Sequence, residues 1–166
     1  ATSANGVGIN VSAVTPLTNI TIRGCSITDG AAAGSNANPA VFMKDVSNSI
    51  IRNNTLTPSG GAGIHIIANQ NNKSNNNTIT NNTILATDTL AGDNIGVKLQ
   101  SSENVSITFN HITTSGGGNF GDNYGIFATN ATLRIISNAI ETDGSGSNNH
   151  GIRGFNLSSS LIENNT

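Results

Sequence analysis

The stretch Ile79-Thr80-Asn81-Asn82-Thr83-Ile84 is followed by Ile107-Thr108-Phe109-Asn110-His111-Ile112 and then by Ile135-Ile136-Ser137-Asn138-Ala139-Ile140. An apolar residue, two others, Asn, one more and an apolar residue return every 28 positions. Upstream, Ile22-Arg23-Gly24-Cys25-Ser26-Ile27 and Ile51-Arg52-Asn53-Asn54-Thr55-Leu56 keep the same form, and downstream Ile162-Glu163-Asn164-Asn165-Thr166 begins it again. The fourth positions, 25, 54, 82, 110, 138 and 165, are separated by 29, 28, 28, 28 and 27 residues, and five of the six are Asn. Scattered Asn-rich sequence does not hold one spacing so closely, and a fixed period of this size marks a repeat architecture.

A second pattern interleaves with the first: Gly, an aliphatic, any residue, then usually another apolar one. Its copies are Gly8-Ile9-Asn10-Val11, Gly63-Ile64-His65-Ile66, Gly96-Val97-Lys98-Leu99, Gly125-Ile126-Phe127-Ala128 and Gly151-Ile152-Arg153-Gly154, with Ala40-Val41-Phe42-Met43 carrying Ala for Gly. The aliphatic positions 9, 41, 64, 97, 126 and 152 are separated by 23 to 33 residues, so length varies in the connections and not in the strand cores. Each unit holds three short alternating runs, the mark of strands with one buried face, and no helical stripe with a cap is legible. About 28 residues with three strands is one turn of a parallel β-solenoid. Six coils stacked at the β-spacing make a rod roughly 25–30 Å long. The Asn column falls at a sharp bend. Two roles are expected there: a left-handed backbone, which Asn tolerates better than most residues, and side-chain bonds from coil to coil.

Composition agrees. Of 166 residues, Asn, Ser, Thr and Gly supply 84 (28, 18, 19 and 19), and charged residues only 10%, against about 25% in ordinary domains. Stacking sets equivalent positions roughly 5 Å apart, where like charges repel and amides and hydroxyls do not. A net charge of −2 with seven Lys and Arg excludes a general nucleic-acid binder. No apolar run is long enough to span a membrane as a helix. One Cys excludes a disulfide framework or a Cys-built zinc site, and Cys25 is expected as a small substitute in the Asn column. Ten Asn-x-Ser/Thr sequons occur, against roughly 6 expected by chance, and support no inference of glycosylation.

The "I-x-x-N-x-I" and "G-I-x-L" segments resemble the right-handed parallel β-helix repeat of the pectate-lyase-like superfamily over nearly the whole chain. The resemblance implies an all-β, right-handed, single-stranded parallel β-helix over residues 1–166. The Gly-initiated strand then comes first in each coil, Ile20–Ile22 and its equivalents second, and Ser26–Thr28 and its equivalents third. That superfamily includes polysaccharide lyases, glycoside hydrolases, epimerases, phage tailspikes and non-catalytic surface proteins, so the fold alone leaves activity open. Thr166 follows directly on a column Asn, and neither a starting Met nor a capping helix is legible. The chain therefore reads as truncated at both ends, an excerpt continued by flanking coils, or else as a subunit that stacks end to end in a surface filament.

Chemistry is sought on the outward face of the first strand, where Phe42, His65, Lys98, Phe127 and Arg153 alternate with inward aliphatics, preceded by Asn10. One position beyond the inward pair lie Ser12, Lys44, Ile67, Gln100, Thr129 and Phe155. Aromatic rings stack on sugars, and cations pair with uronate or sulfate groups; the competing reading is that connections cover the strip. The connections Asp29–Pro39, Leu85–Asn94, Thr113–Asn123 and Glu141–Asn149 all precede a first strand and would rim it. Asp93-Asn94-Ile95-Gly96, Asp122-Asn123-Tyr124-Gly125 and Asn148-Asn149-His150-Gly151 align. Asp93 and Asp122 are thereby candidate neighbours that would hold a Ca²⁺ cofactor or share a proton. The structural alternative is that Asp-Asn opens a turn.

Catalytic signatures are absent. Tyr124-Gly125-Ile126 resembles the start of the alginate-epimerase motif, but Phe127-Ala128-Thr129 follows where Asp-Pro-His is expected. Asn149-His150-Gly151 resembles a fragment of the polygalacturonase Gly-His-Gly motif without its first Gly or paired aspartates. His65, His111 and His150 fall at different phases of the repeat. The Gly-rich run 116–122 resembles one calcium-binding nonapeptide without tandem copies. The reading is a non-catalytic extracellular or cell-surface segment with a structural, adhesive or glycan-contacting role. The alternative is a fragment of a polysaccharide-active enzyme, a lyase, hydrolase or epimerase. Ice binding ranks below both because Thr is scattered.

Overall fold

The computed structural model describes residues 7–29, 38–69, 74–88, 92–116, 121–144 and 148–166. Among them every regular element is a strand and every pairing is parallel. The first sheet stacks Ile9–Thr18, Val41–Ser47, Gly61–Ile67, Asn94–Gln100, Asn123–Thr129 and Asn149–Phe155, in that order. The second stacks Thr21–Arg23, Ile50–Arg52, Thr78–Thr80, Val105–Thr108, Leu133–Ile136 and Leu161–Glu163. The third stacks Ser26–Asp29, Thr55–Pro58, Thr83–Asp88, His111–Gly116 and Ala139–Asp143. The described chain thus makes five turns of three strands and a sixth of two. A two-residue ladder, Ser74–Asn75 on Ser102–Glu103, adds a corner between the first and second sheets that the three-run reading lacks.

The expected inward columns are in register. Val41 pairs with Ile9 and Ile64, and Val97 with Ile64 and Ile126. Ile51 pairs with Ile22 and Ile79, and Ile107 with Ile79 and Ile135. Most of these side chains are fully buried, each stabilising the stack by about 1.5–3 kcal/mol. The third-sheet strands run further than the sequence reading placed them, to Asp88, Gly116 and Asp143, because the coil-to-coil ladder continues there. The middles of the four connections and of the Gly-rich run, 30–37, 89–91, 117–120 and 145–147, lie outside the described residues.

The Asn column corrects one expectation and bears out the other. The left-handed residue at the bend is the one before the column: Gly24, Asn53, Asn81, Phe109, Ser137 and Asn164, with φ of 64°, 54°, 52°, 57°, 56° and 54°. The column residues point inward instead. Asn54, Asn82, Asn110 and Asn138 each donate Nδ2 to the Oδ1 of the next column member at 2.9–3.0 Å. The same Oδ1 accepts the backbone N–H of the column residue below at 2.9–3.1 Å. Nδ2 also reaches a carbonyl of the preceding coil, as Asn110 does to Ile79 at 3.0 Å. The amides are 1–2% exposed. A buried amide without partners costs about 1–3 kcal/mol; here each is satisfied by its copies one rung away and by the backbone carbonyls beside it. Cys25 ends the ladder, its thiol turned to its own coil at Arg23 O, 3.4 Å away. A shorter ladder holds the bend before the second sheet, where Ser49 N donates to Asn77 Oδ1 at 3.0 Å and Ile20 N to Ser49 Oγ at 2.9 Å.

The repeated Gly answers a lack of space. A Cβ on Gly8, Gly63, Gly96 or Gly125 would collide with Cγ2 of Ile27, Ile84, Ile112 or Ile140, the third-sheet residue of the same coil, and with the carbonyl of the next rung. The one coil with Ala40 has Leu56 in that column, in register with Ile27 and Ile84, and Leu carries no methyl on Cβ. The strand start and the third sheet are matched within each coil.

Asn110→Ala is expected to destabilise the chain by about 3 kcal/mol, since the N–H and Nδ2 of Asn82 both lose their acceptor. Cys25→Asn is expected to extend the ladder and stabilise by about 1 kcal/mol. Denaturant midpoints of the two variants test both signs. Gly96→Ala is expected to cost about 2 kcal/mol by overpacking, and Ile112→Leu to recover part of that loss. A double-mutant cycle with coupling near zero would contradict the pairing.

Candidate functional site: an aromatic and charged cluster on the first sheet

Asn10, Phe42, His65, Lys98, Phe127 and Arg153 form one outward row in continuous register, as the alternation predicted. The row divides into two groups. At one end Phe42 packs edge-on to His65, with ring centroids 5.4 Å apart, and His65 Nε2 lies 2.8 Å from Gln100 Oε1. Burial pushes the imidazole pKa below its usual value, the Gln100 bond opposes this, and the Lys98 charge adds to it. Lys98 stands between His65 and Phe127.

At the other end the side chains converge on Tyr124. Its phenol donates to Asp122 Oδ2 and accepts from Arg153 Nη1. The ring stacks on His150 at 5.9 Å and 5° and packs against Phe127 at 5.2 Å. The Arg153 guanidinium lies 5.3 Å from the Tyr124 centroid and 4.9 Å from that of Phe155. Phe155 itself meets Phe127 edge-on at 6.0 Å and is 46% exposed. Ala62, Ile95 and buried Tyr124 make an apolar floor on the outward face, with Phe127 packed against it.

Local structure explains the convergence. Asn94 Nδ2 donates to Asn123 Oδ1 at 3.0 Å, and Asn123 Nδ2 to Asn149 Oδ1 at 2.7 Å. This ladder stacks the three Asx-Asn-x-Gly starts, so that each x residue, Ile95, Tyr124 or His150, stands on its neighbour. Asp93 and Asp122 are neighbours, as expected, but they act in the turn. Asp93 Oδ1 accepts the Asp122 N–H at 3.1 Å, and Asp122 Oδ1 accepts from Asn148 Nδ2 at 3.0 Å. No group of three or more His, Cys, Asp and Glu able to hold a metal occurs among the described residues.

The electrostatics separate two proton affinities. The Tyr124 phenol holds the Asp122 carboxyl below its usual range, with help from Asn148 and the Arg153 charge. Burial, and then the bond and charge of Asp122, raise the phenol to about 12, against the opposing charge of Arg153. At neutral pH Asp122 is therefore a carboxylate and Tyr124 a phenol, and neither is poised to exchange a proton. Asp93, Asp122, Phe127 and Arg153 of the predicted set are brought together here. Phe42, His65 and Lys98 belong to the other half of the row. Tyr124 and His150 were not assigned to the site; their signal was the x position of the aligned Asx-Asn-x-Gly starts. Phe155, read one position beyond the inward pair, joins the cluster from there.

A family model described as the right-handed β-helix region matches residues 1–140, and the chain belongs to that family. No curated protein and no solved structure matches it.

The chain has one Tyr and no Trp, so ultraviolet titration reads Tyr124 alone. A midpoint near pH 12 is expected, falling toward the ordinary 10 in Asp122→Ala and rising further in Arg153→Gln. The raised pKa makes a contribution to stability that is full below about pH 10 and lost as pH climbs toward 12. The depressed Asp122 acts in the opposite window: its contribution is present above the usual carboxylate pKa and is lost as pH falls through its lower folded value. Thermal melts across pH test both.

Proposed function

We propose that this right-handed β-helix is a non-catalytic extracellular or cell-surface segment that contacts glycans through the outward face of the first sheet. The observation that carries the reading is the Tyr124–Phe127–Phe155 cluster with Arg153 laid across it. An exposed aromatic edge offers a stacking surface for the C–H face of a sugar ring. Only Nη1 of Arg153 is engaged by Tyr124, which leaves the rest of a planar fork of donors for hydroxyls or carboxylates. The rigid stack beneath it fixes these side chains before any ligand arrives, which lowers the entropy cost of binding. The titration states support binding over turnover: the Asp122 proton is lost too readily for a general acid, and the Tyr124 proton is held too tightly for a base. A chain poor in thiols and rich in neutral polar residues suits the outside of a cell.

On a glycan array the chain is expected to bind a subset of sugars. Phe127→Ala and Arg153→Ala are each expected to weaken that binding about tenfold, and Thr113→Ala on the third sheet to leave it unchanged. Lys98→Ala tells whether the ligand extends along the row. Absence of any bound glycan, or full binding by Phe127→Ala, would reject the site.

A further inference from the structure

The second sheet carries a pair of stacked like charges that no described residue compensates. Its outward row runs Arg23, Arg52, Thr80, Thr108, Ile136 and Glu163 in continuous register. Arg23 and Arg52 are directly paired on neighbouring strands, about 4.8 Å apart by the strand spacing. Both are exposed, and neither guanidinium makes a hydrogen bond or ion pair with a described residue. Like charges directly opposite destabilise a sheet. Elsewhere the fold compensates stacked charge: Asp93 and Asp122 are met by an N–H, an amide, a phenol and the nearby Arg153. Glu163 stands four rungs from Arg52 in the same row. That is roughly 19 Å at the strand spacing and beyond the screening length of about 8–10 Å.

A sequence that breaks its own rule without compensation within the fold marks a site where something outside compensates. We propose that Arg23 and Arg52 form a binding site for a tetrahedral oxyanion, a sulfate or phosphate group. Two planar guanidinium forks one rung apart present donors to three or more oxygens at once, and each fork binds such oxygens bidentately. The scaffold is rigid on both sides: Ile22 and Ile51 beneath are 7% and 1% exposed, and Thr108 Oγ1 bonds Thr80 Oγ1 at 3.0 Å further along the row. The neutral hydroxyls mark where the donor row gives up its charge, so the site is confined to the first two coils. It lies on a different sheet from the aromatic cluster and stands independently of the glycan reading.

The test compares the whole chain with Arg52→Thr, which continues the Thr column, and Arg23→Thr, which keeps the measurement available if the first variant misfolds. Titration calorimetry with inorganic sulfate and inorganic phosphate, at constant ionic strength set with chloride, is expected to show binding to the parent weakened at least about tenfold in either variant. Thermal melts in chloride alone are expected to leave both variants at least as stable as the parent. Dextran sulfate and polyphosphate, against neutral dextran, then distinguish a sulfated from a phosphorylated polymer as the source. Equal affinity of parent and variants for both anions, or variants less stable than the parent in chloride, would overturn the proposal.

Discussion

A primary amide sealed from water must have both its hydrogens and its oxygen satisfied, and in this protein an identical amide one rung away does so together with backbone carbonyls of the stack. Asn54, Asn82, Asn110, Asn138 and Asn165 form that chain of mutual dependence. Slippage by one residue at any rung would leave two amides unpaired in the core. The ladder therefore sets the phase of the coils, and it does so at the bend between the second and third sheets. This is why the spacing of column residues stays between 27 and 29 while first-sheet positions vary between 23 and 33. Within that near-constant coil length a longer path into the first sheet is offset by a shorter path out of it: 16 and 13 residues separate Cys25, Val41 and Asn54, against 10 and 18 for Asn54, Ile64 and Asn82.

The architecture was legible because every inward position is read several times over. The role of each residue at the bend was not. Asn53-Asn54, Asn81-Asn82 and Asn164-Asn165 put the left-handed residue and the ladder residue side by side with the same identity, so either could be assigned either task. The odd members of the repeat decide it. Gly24 stands before Cys25, and Phe109 and Ser137 stand before Asn110 and Asn138; a residue type that varies while the next one persists is serving backbone shape and not a side-chain ladder. The same grammar accounts for part of the sequon excess. A left-handed Asn, a ladder Asn and a Thr that follows the bend spell Asn-x-Thr at residues 53, 81 and 164 as a consequence of the bend.

The site was half legible for a related reason. Strict alternation along 124–128 places Tyr124 on the same side as Ile126 and Ala128, which face the core. The strand breaks that alternation at Gly125, where a side chain would run into Ile140, and the pairing passes from Tyr124 to Ile126 across the break. The residue before each such Gly is thereby turned outward. Ile95 and Tyr124, which parity alone would place in the core, build the outward apolar floor. The row of Phe42, His65, Lys98, Phe127 and Arg153 lies beyond the break, where alternation holds, and so it was found.

Repetition and function pull in opposite directions in a solenoid. Inward columns converge on a few aliphatics because each side chain packs against its copies. The outward rows of the first sheet hold a different residue at nearly every rung. The second-sheet row keeps Thr at Thr80 and Thr108 but has Arg at its first two coils. Departure from the repeat is the informative quantity on these faces, since stacking amplifies whatever is placed there: two rings become a platform, and two guanidinium groups become a charge that the fold itself does not neutralise. At the turn before the first sheet, Asp122 keeps the turn-forming role while Tyr124 stands where another coil has the small apolar Ala62. The replacement satisfies the carboxylate, lifts the phenol and anchors Arg153 from the next rung. A side-chain constellation of that kind requires three particular residues on two successive coils, and the packing of the aliphatic interior asks for none of them.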